Sequence, residues 1–294
     1  MEYKNNNLSP LPFYGSIDRQ NARRWWLYGR IYPLFCGRKL LPFQIRTGIG
    51  YASQYIANPQ VELYNIVNGQ SIFLGSIPAL AELIRTENVG GELYIYYTAT
   101  SSIIDELLNH NGQYYIKLII GTSPSAVLEY YSEVFTYVVN IADYLKVEWW
   151  DVEDFVTDAG TILYHNDYKN FLYLQAEVAK PEYIFEEEGE TRDGYFFPVK
   201  QISEKRYKFN FLASEYLCDV MRLIRLSDYV KITNDGVEYW ADSFLITPEW
   251  EKEGDVASVA AQFETNTVCK KLARGYIVPD AGDFNEDYNN DYSK

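Results

Sequence analysis

From Arg206 to Phe211 apolar and polar side chains alternate without a break. Tyr207, Phe209 and Phe211 fall on one side, and Arg206, Lys208 and Asn210 on the other. Successive strand side chains project to opposite faces, so this period marks a strand with one face in a core. The pattern returns at Ala257, Val259, Ala261 and Phe263, with Ser258, Ala260 and Gln262 opposite. Between the two, the period changes. Ser214 is a good N-cap, and Leu217, Val220, Met221 and Ile224 recur at helical spacing, which predicts a short amphipathic helix over 214–226. Glu215, Asp219 and Arg222 take its other face, with Asp219 and Arg222 spaced to pair. A helix this short is marginal alone and must lie across the sheet that these strands make. Tyr229 to Thr233 then opens a hairpin turning at Asn234-Asp235-Gly236, and Pro248 stops the return strand. The unit from Glu204 to Thr267 therefore reads strand, helix, hairpin, strand.

Upstream, short apolar segments alternate with turn residues. Val61 to Val67 and Ser71 to Ile77 flank Asn68-Gly69, a strong hairpin signal. Glu92 to Thr98, Gln113 to Ile120 and Ala126 to Tyr137 complete a set whose spacing predicts an antiparallel β-sandwich. Ile103 to Leu108 is the one helical turn expected there. Further on, Tyr144 to Trp150 and Phe171 to Val178 read as strands. Ile184 to Glu188 and Tyr195 to Val199 can pair across Asp193-Gly194, with Pro181 and Pro198 suited to strand ends or edges. The fold expected is mainly β: an N-terminal antiparallel β-sandwich followed by a β-sandwich or barrel with one flanking short helix. Residues 1–24 form an extended arm, 25–140 the first domain, 141–279 the second, and 280–294 a disordered acidic tail.

Composition narrows function by exclusion. Acidic side chains number 41 against 26 basic, a formal charge of −15, so duplex nucleic acid is not an expected partner. The best basic face is Arg19, Arg23, Arg24, Arg30, Arg38, Lys39 and Arg46. Three widely spaced cysteines, Cys36, Cys218 and Cys269, make no disulfide framework and read as free, buried thiols. His110 and His165 leave little for histidine chemistry. Neither a signal-peptide core nor a run of roughly 18 apolar residues is found, so no membrane insertion is expected.

Candidate chemistry is sparse. Asp283, Asn285, Asp287, Asn289 and Asp291 alternate like calcium ligands, but Tyr288 and Lys294 stand where an EF-hand needs Gly and Glu. Glu186-Glu187-Glu188 cannot converge from one strand, since side chains alternate faces. Carboxylate pairs for glycoside hydrolysis can be drawn from Asp151, Glu153, Asp154, Glu186 and Glu188, without any motif in support. Nucleophile elbows and phosphate-binding glycine loops are absent. No catalytic, cofactor or metal residue is assigned. The 28 Tyr, 15 Phe and 6 Trp point elsewhere, because aromatic residues enrich in strands and at interfaces. Trp25-Trp26, Tyr96-Tyr97, Tyr114-Tyr115, Tyr130-Tyr131 and Trp149-Trp150 put rings on both strand faces. One face serves a core; the other packs on another subunit or stacks on carbohydrate. The expected inter-subunit contacts are Arg23, Arg24, Trp25 and Trp26 in the arm, and Asn234, Asp235 and Gly236 at the hairpin.

Several runs carry a family resemblance: Arg192-Asp193-Gly194-Tyr195-Phe196-Phe197-Pro198, Ser203-Glu204-Lys205-Arg206-Tyr207, Phe211 to Asp219, Arg222 to Val230, Thr247-Pro248-Glu249-Trp250 and Phe263 to Val268. With them, residues Tyr183 to Leu272 resemble the C-terminal part of structural proteins of tailed phages and prophages of Bacteroides-type gut bacteria. The element order is similar to the β-sandwich-plus-helix unit of phage tail tube, hub and distal tail proteins. The resemblance implies a virion protein of the tail, head–tail connection or baseplate, made in the bacterial cytoplasm. It would form a homo-oligomeric ring with itself and bind other tail proteins. The alternative is a module binding a host-surface glycan at the tail tip, and a more distant one is a carbohydrate-active enzyme. The family offers no catalytic residue to carry over.

Overall fold

The structure, a computed structural model, describes residues 8–15, 33–48, 60–76, 84–89, 92–97, 110–120, 128–152, 162–165, 167–250 and 256–271. Among these residues the fold is mainly β with one short α-helix, as the alternating segments require. The strands are β1 (Phe13–Gly15), β2 (Phe35–Cys36), β3 (Phe43–Gly48), β4 (Gln60–Val67), β5 (Gln70–Ser76), β6 (Ile84–Val89), β7 (Glu92–Tyr97), β8 (Gly112–Ile120), β9 (Leu128–Ser132) and β10 (Phe135–Tyr137). Then follow β11 (Leu145–Trp150), β12 (Asn170–Leu174), β13 (Glu182–Arg192), β14 (Tyr195–Ser214), helix α1 (Glu215–Met221), β15 (Tyr229–Asn234), β16 (Val237–Trp240), β17 (Ser243–Trp250) and β18 (Val256–Lys271).

The largest sheet has 11 strands. Its β8 pairs with β4, which carries β5, and on its other edge with β9 and β10 in tandem. Beyond them lie β1, against β9, and β2, against β10. Then come β12, β11, β15 and β16. All pairs are antiparallel except β2 with β10. The sheet thus runs from the N-terminal strands into the C-terminal ones through Phe35 and Cys36, and one continuous core spans both. Within the expected arm, Leu11 and Phe13 are buried in this same core, and the Tyr216 hydroxyl donates to the Ser9 carbonyl.

Four expectations differ from the structure in detail. The expected strand from Ala126 to Tyr137 is broken at Glu133-Val134, where Ser132 Oγ accepts the Ile116 N–H at 2.9 Å. The side chain replaces a missing ladder partner, because a buried N–H must be satisfied. The predicted helix over 214–226 is α-helical only to Met221 and tightens into a 3₁₀ turn over Arg222–Leu226. Ser214 caps it by accepting the Leu217 N–H, and Arg222 pairs with Asp219 at 3.6 Å. Finally, the strands on either side of the helix do not form one sheet. β14, before it, belongs with β18 to a four-stranded sheet, β13-β14-β18-β17, while the hairpin β15–β16, after it, joins the large one. Pro248 sits inside β17 rather than ending β16, and the sheet tolerates it because β17 is an edge.

The two sheets face each other through their apolar sides. Tyr239 of β16 touches Tyr207 and Phe263, at 5.0 and 5.7 Å between ring centroids. Phe209, Phe211, Ala257, Val259, Ala261 and Phe263 are buried as the alternation requires. A third sheet, β3-β7-β6, adds a smaller cluster in which Tyr94 and Tyr96 pack with Ile162, Leu163 and Tyr168. Buried Gln44 fastens that cluster: its amide donates to the Leu163 carbonyl at 2.6 Å and accepts the Leu163 N–H at 2.9 Å. Phe263 gathers the rings of this wall: within its own sheet it stacks on Tyr207 at 5.1 Å and meets Phe209 at 6.3 Å, and across the gap it meets Tyr239 of the large sheet. Truncating Phe263→Ala is expected to cost about 3–5 kcal/mol. In urea unfolding the midpoint should fall while the slope stays unchanged.

Candidate functional site

Of the expected contact residues, Arg23, Arg24, Trp25 and Trp26 lie outside the described residues, as do Glu153, Asp154, the Ile103–Leu108 turn and the acidic tail. Asn234, Asp235 and Gly236 form the tip of β15–β16, with Asp235 at φ 48° and Gly236 at φ 75°. Both angles are positive, as a two-residue hairpin turn demands. Asn68-Gly69 and Asp193-Gly194 repeat this geometry. Among the described residues no group of three or more His, Cys, Asp or Glu could hold a metal ion, and no helix is long and apolar enough to cross a membrane. Asp151 ends β11 on the large sheet, whereas Glu186 and Glu188 lie on β13 of the other.

The aromatic pairs are mostly consumed inside the molecule. Tyr97 faces the main core and Tyr96 the smaller one, so both faces of β7 are covered by the chain itself. Tyr114 and Tyr115 are both buried, Tyr115 stacking on Tyr64 at 4.8 Å. Of these pairs, Trp149-Trp150 splits most clearly between core and surface: Trp149 is buried, and Trp150 lies on the outer face.

A run of exposed apolar side chains lies elsewhere, on a segment read from the sequence as two short paired strands. β13, β14 and β18 run on beyond the part that meets the large sheet and form a projecting three-stranded arm. Pairing fixes which side chains share a face. Tyr183 opposes Lys205, Phe185 opposes Ser203, and Ser203 opposes Val268. These positions continue the face that carries Tyr207, Phe209 and Phe211 in the core. No strand of the large sheet covers them, so Tyr183 is 75% exposed, Phe185 61% and Val268 64%. A bulge at Glu188/Gly189 gives β14 one extra residue and brings Phe196 opposite Thr191, onto the same side. A Cβ on Gly189 would lie 2.6 Å from the Phe196 ring and would strike the Phe197 carbonyl, so the bulge needs glycine.

The opposite face of the arm is charged. Lys208 pairs with Glu182 at 2.7 Å, Lys200 approaches Glu188 at 3.9 Å, and Arg206 bonds Glu264 at 2.8 Å. The free edge, β13, carries Glu182, Glu186, Glu187, Glu188 and Glu190. Cys269, expected to be buried, is exposed, because it sits on this arm where the facing sheet has ended.

A second surface lies on the outer face of the large sheet. Glu148 accepts from Lys146 at 2.8 Å and approaches Lys231 at 3.3 Å, and Lys231 also reaches Glu238 at 3.0 Å. Trp150, Tyr229 and Trp240 form a ring cluster beside this chain of charges. Sequence reading marked Trp150 but not its partners, since pairing of β11 with β15 brings together residues far apart in the chain.

The sequence matches no protein-family model and no curated protein.

Burial opposes the charged form of Glu148, and the two lysines overcome it, so its carboxyl is held below the ordinary value. An unfolded Glu titrates near ~4.3. Glu148 therefore adds stability that is complete above that pH and is lost as pH falls through the lower folded value. The stability gap between wild type and Glu148→Gln should be largest near neutrality and should shrink in acid. Urea midpoints at pH 7 and at pH 3 read this directly.

Proposed function

We propose that this protein is a structural subunit that assembles with copies of itself through the β13–β14–β18 arm. The observation that supports the reading is the continuity of the arm with the core. One face of β14 and β18 is core at one end and exposed aromatic surface at the other. An apolar face of this kind is stable in water when another surface covers it. The occupant is a second copy. The acidic edge of β13 opposes edge-to-edge pairing of two arms, since five carboxylates would face five. Contact through the aromatic face leaves Glu182, Glu186, Glu188 and Glu190 on the other side, with Glu187 sharing the face of Tyr183 and Phe185.

The resemblance in the C-terminal third extends the proposal to a virion protein of a tailed phage, in the tail, head–tail connection or baseplate. There the copies would close into a ring and meet other tail proteins. The role is assembly, and it needs neither a cofactor nor a catalytic site.

Light scattering on the full chain should show a discrete oligomer at micromolar concentration. Phe185→Asp and Tyr183→Asp alter exposed side chains and should yield folded monomers, by circular dichroism, whose thermal midpoint no longer depends on protein concentration. Wild type that stays monomeric at every concentration, and does not enter an assembled particle as multiple copies, would overturn the proposal. The hairpin tip gives a separate test. A Cβ at Gly236 meets open space, so Gly236→Val acts through its positive φ alone, at a cost of about 1–2 kcal/mol. Loss of assembly beyond that loss of stability places the tip in the contact; loss of stability alone makes it scaffold.

A further inference from the structure

Sheet edges in this protein differ in how they are guarded. Among the described residues, β1, β3, β5, β6, β13, β16 and β17 each have a single neighbouring strand. An open edge is a template for another strand, and charged residues or proline block it. β3 carries Arg46, β6 Arg85 and Glu87, β16 Glu238, β17 Pro248 and Glu249, and β13 its glutamates. β1 is only three residues long. Of these strands β5 alone is both long and unguarded: Gln70-Ser71-Ile72-Phe73-Leu74-Gly75-Ser76 holds no charge and no proline.

Its backbone is aligned for pairing. Val67 and Gln70 close the two-residue turn at Asn68-Gly69, and such a closing pair is a hydrogen-bonded one. Bonded and unbonded pairs alternate along an antiparallel ladder. Ile72 therefore directs its N–H and C=O toward Asn65, whereas Ser71 and Phe73 turn theirs away from β4. The side chains add apolar surface, with Ile72 46% exposed, Phe73 53% and Leu74 38%. Phe73 also ends a run of rings across the sheet, meeting Tyr64 at 5.4 Å, which stacks on Tyr115. A bulge opposite Leu63/Tyr64 leaves Leu74 without a partner on β4, so Gln70 to Phe73 is the regular stretch.

The residue order selects the occupant. About Phe73 the strand is near-symmetric: Ile72 and Leu74, then Ser71 and Gly75, then Gln70 and Ser76. A copy running antiparallel meets residues of its own kind, aliphatic on aliphatic and small on small, as an interface on a two-fold axis requires. We propose that β5 pairs antiparallel with β5 of a second copy, joining the two large sheets into one across a two-fold axis near Phe73. Seven residues of edge bury well under the ~800 Å² per partner of a stable interface. The seam is therefore weak alone, and any contact that already holds two copies together raises the effective concentration that closes it. It is a different surface from the β13–β14–β18 arm and does not rest on the arm reading.

The test combines Tyr183→Asp with Phe185→Asp, which removes the arm contact and leaves β5 intact. Sedimentation equilibrium up to about 1 mM should show a monomer–dimer equilibrium with a dissociation constant on the order of 0.1–1 mM. Adding Ile72→Lys or Ser71→Lys should weaken it about tenfold or more, whereas Ile72→Thr, uncharged and β-branched, should keep it. Circular dichroism identifies any variant that has failed to fold. The Ser71 and Phe73 amides should exchange hydrogen fast in dilute protein and slow as the dimer forms. A chain monomeric at every concentration up to about 1 mM would overturn the proposal. So would a dimer that both lysine variants leave unchanged, or Ser71 and Phe73 amides already protected in the dilute monomer. Wild type that is monomeric at micromolar concentration, yet dimerises through β5 at higher concentration, would overturn the arm reading and keep this one.

Discussion

The pairing of β14 with β18 is the interaction on which the rest depends. It extends from Ser214 against Val256 to Lys200 against Lys271. Over its first half the pair supplies one wall of the sandwich. Phe209, Phe211, Val259 and Phe263 meet the large sheet there, and α1 crosses at the end where Ser214 caps it. Over its second half the same ladder carries β13 outward, past the strands of the large sheet. Core and arm are one continuous ladder with two environments. Its bulges, at Ser203/Lys205 and Glu188/Gly189, adjust which side chains the apolar face presents.

Much of this could be read from residues alone, and the limit has a physical cause. Alternation at Tyr207–Phe211 and Ala257–Phe263 is local and gave the right faces. So did the glycine turns, whose φ angles follow from short-range sterics, and the Ser214 cap. The pairing partners were not legible. Nothing in Tyr229–Thr233 tells that its neighbour is Leu145–Trp150, more than a helix and a long strand away. For the same reason the hairpin was assigned to the wrong sheet. The aromatic pairs were read as surface seeking a partner, because the sequence does not display the second core that takes Tyr94, Tyr96 and Tyr168. The hairpin across Asp193-Gly194 is legible, but its length and its apolar face are not, because Glu186, Glu187 and Glu188 mask the alternation. Only the register against β14 and β18 shows that Tyr183 and Phe185 share their face with Phe196 and Val268.

Tyrosine burial in this protein is unusual in how little hydrogen bonding accompanies it. The hydroxyls of Tyr94, Tyr97 and Tyr168 have no hydrogen-bond partner among the described residues. Burial pushes the Tyr168 and Tyr97 phenols well above their ordinary range, which keeps them neutral. These rings contribute as large hydrophobes, and the hydroxyls lower the gain from each.

The large sheet is held together across its middle by two residues. Phe35 and Cys36 pair in parallel with Thr136 and Tyr137, and Phe35 also pairs with Tyr173. A strand so short cannot form alone, and both of its neighbours come more than a hundred positions later in the chain. During synthesis β2 has no edge to join until those strands exist, because loop closure over such a span must come first. The part of the chain made early is therefore among the last to settle, and the seam it closes is where a slowed or interrupted chain would remain open.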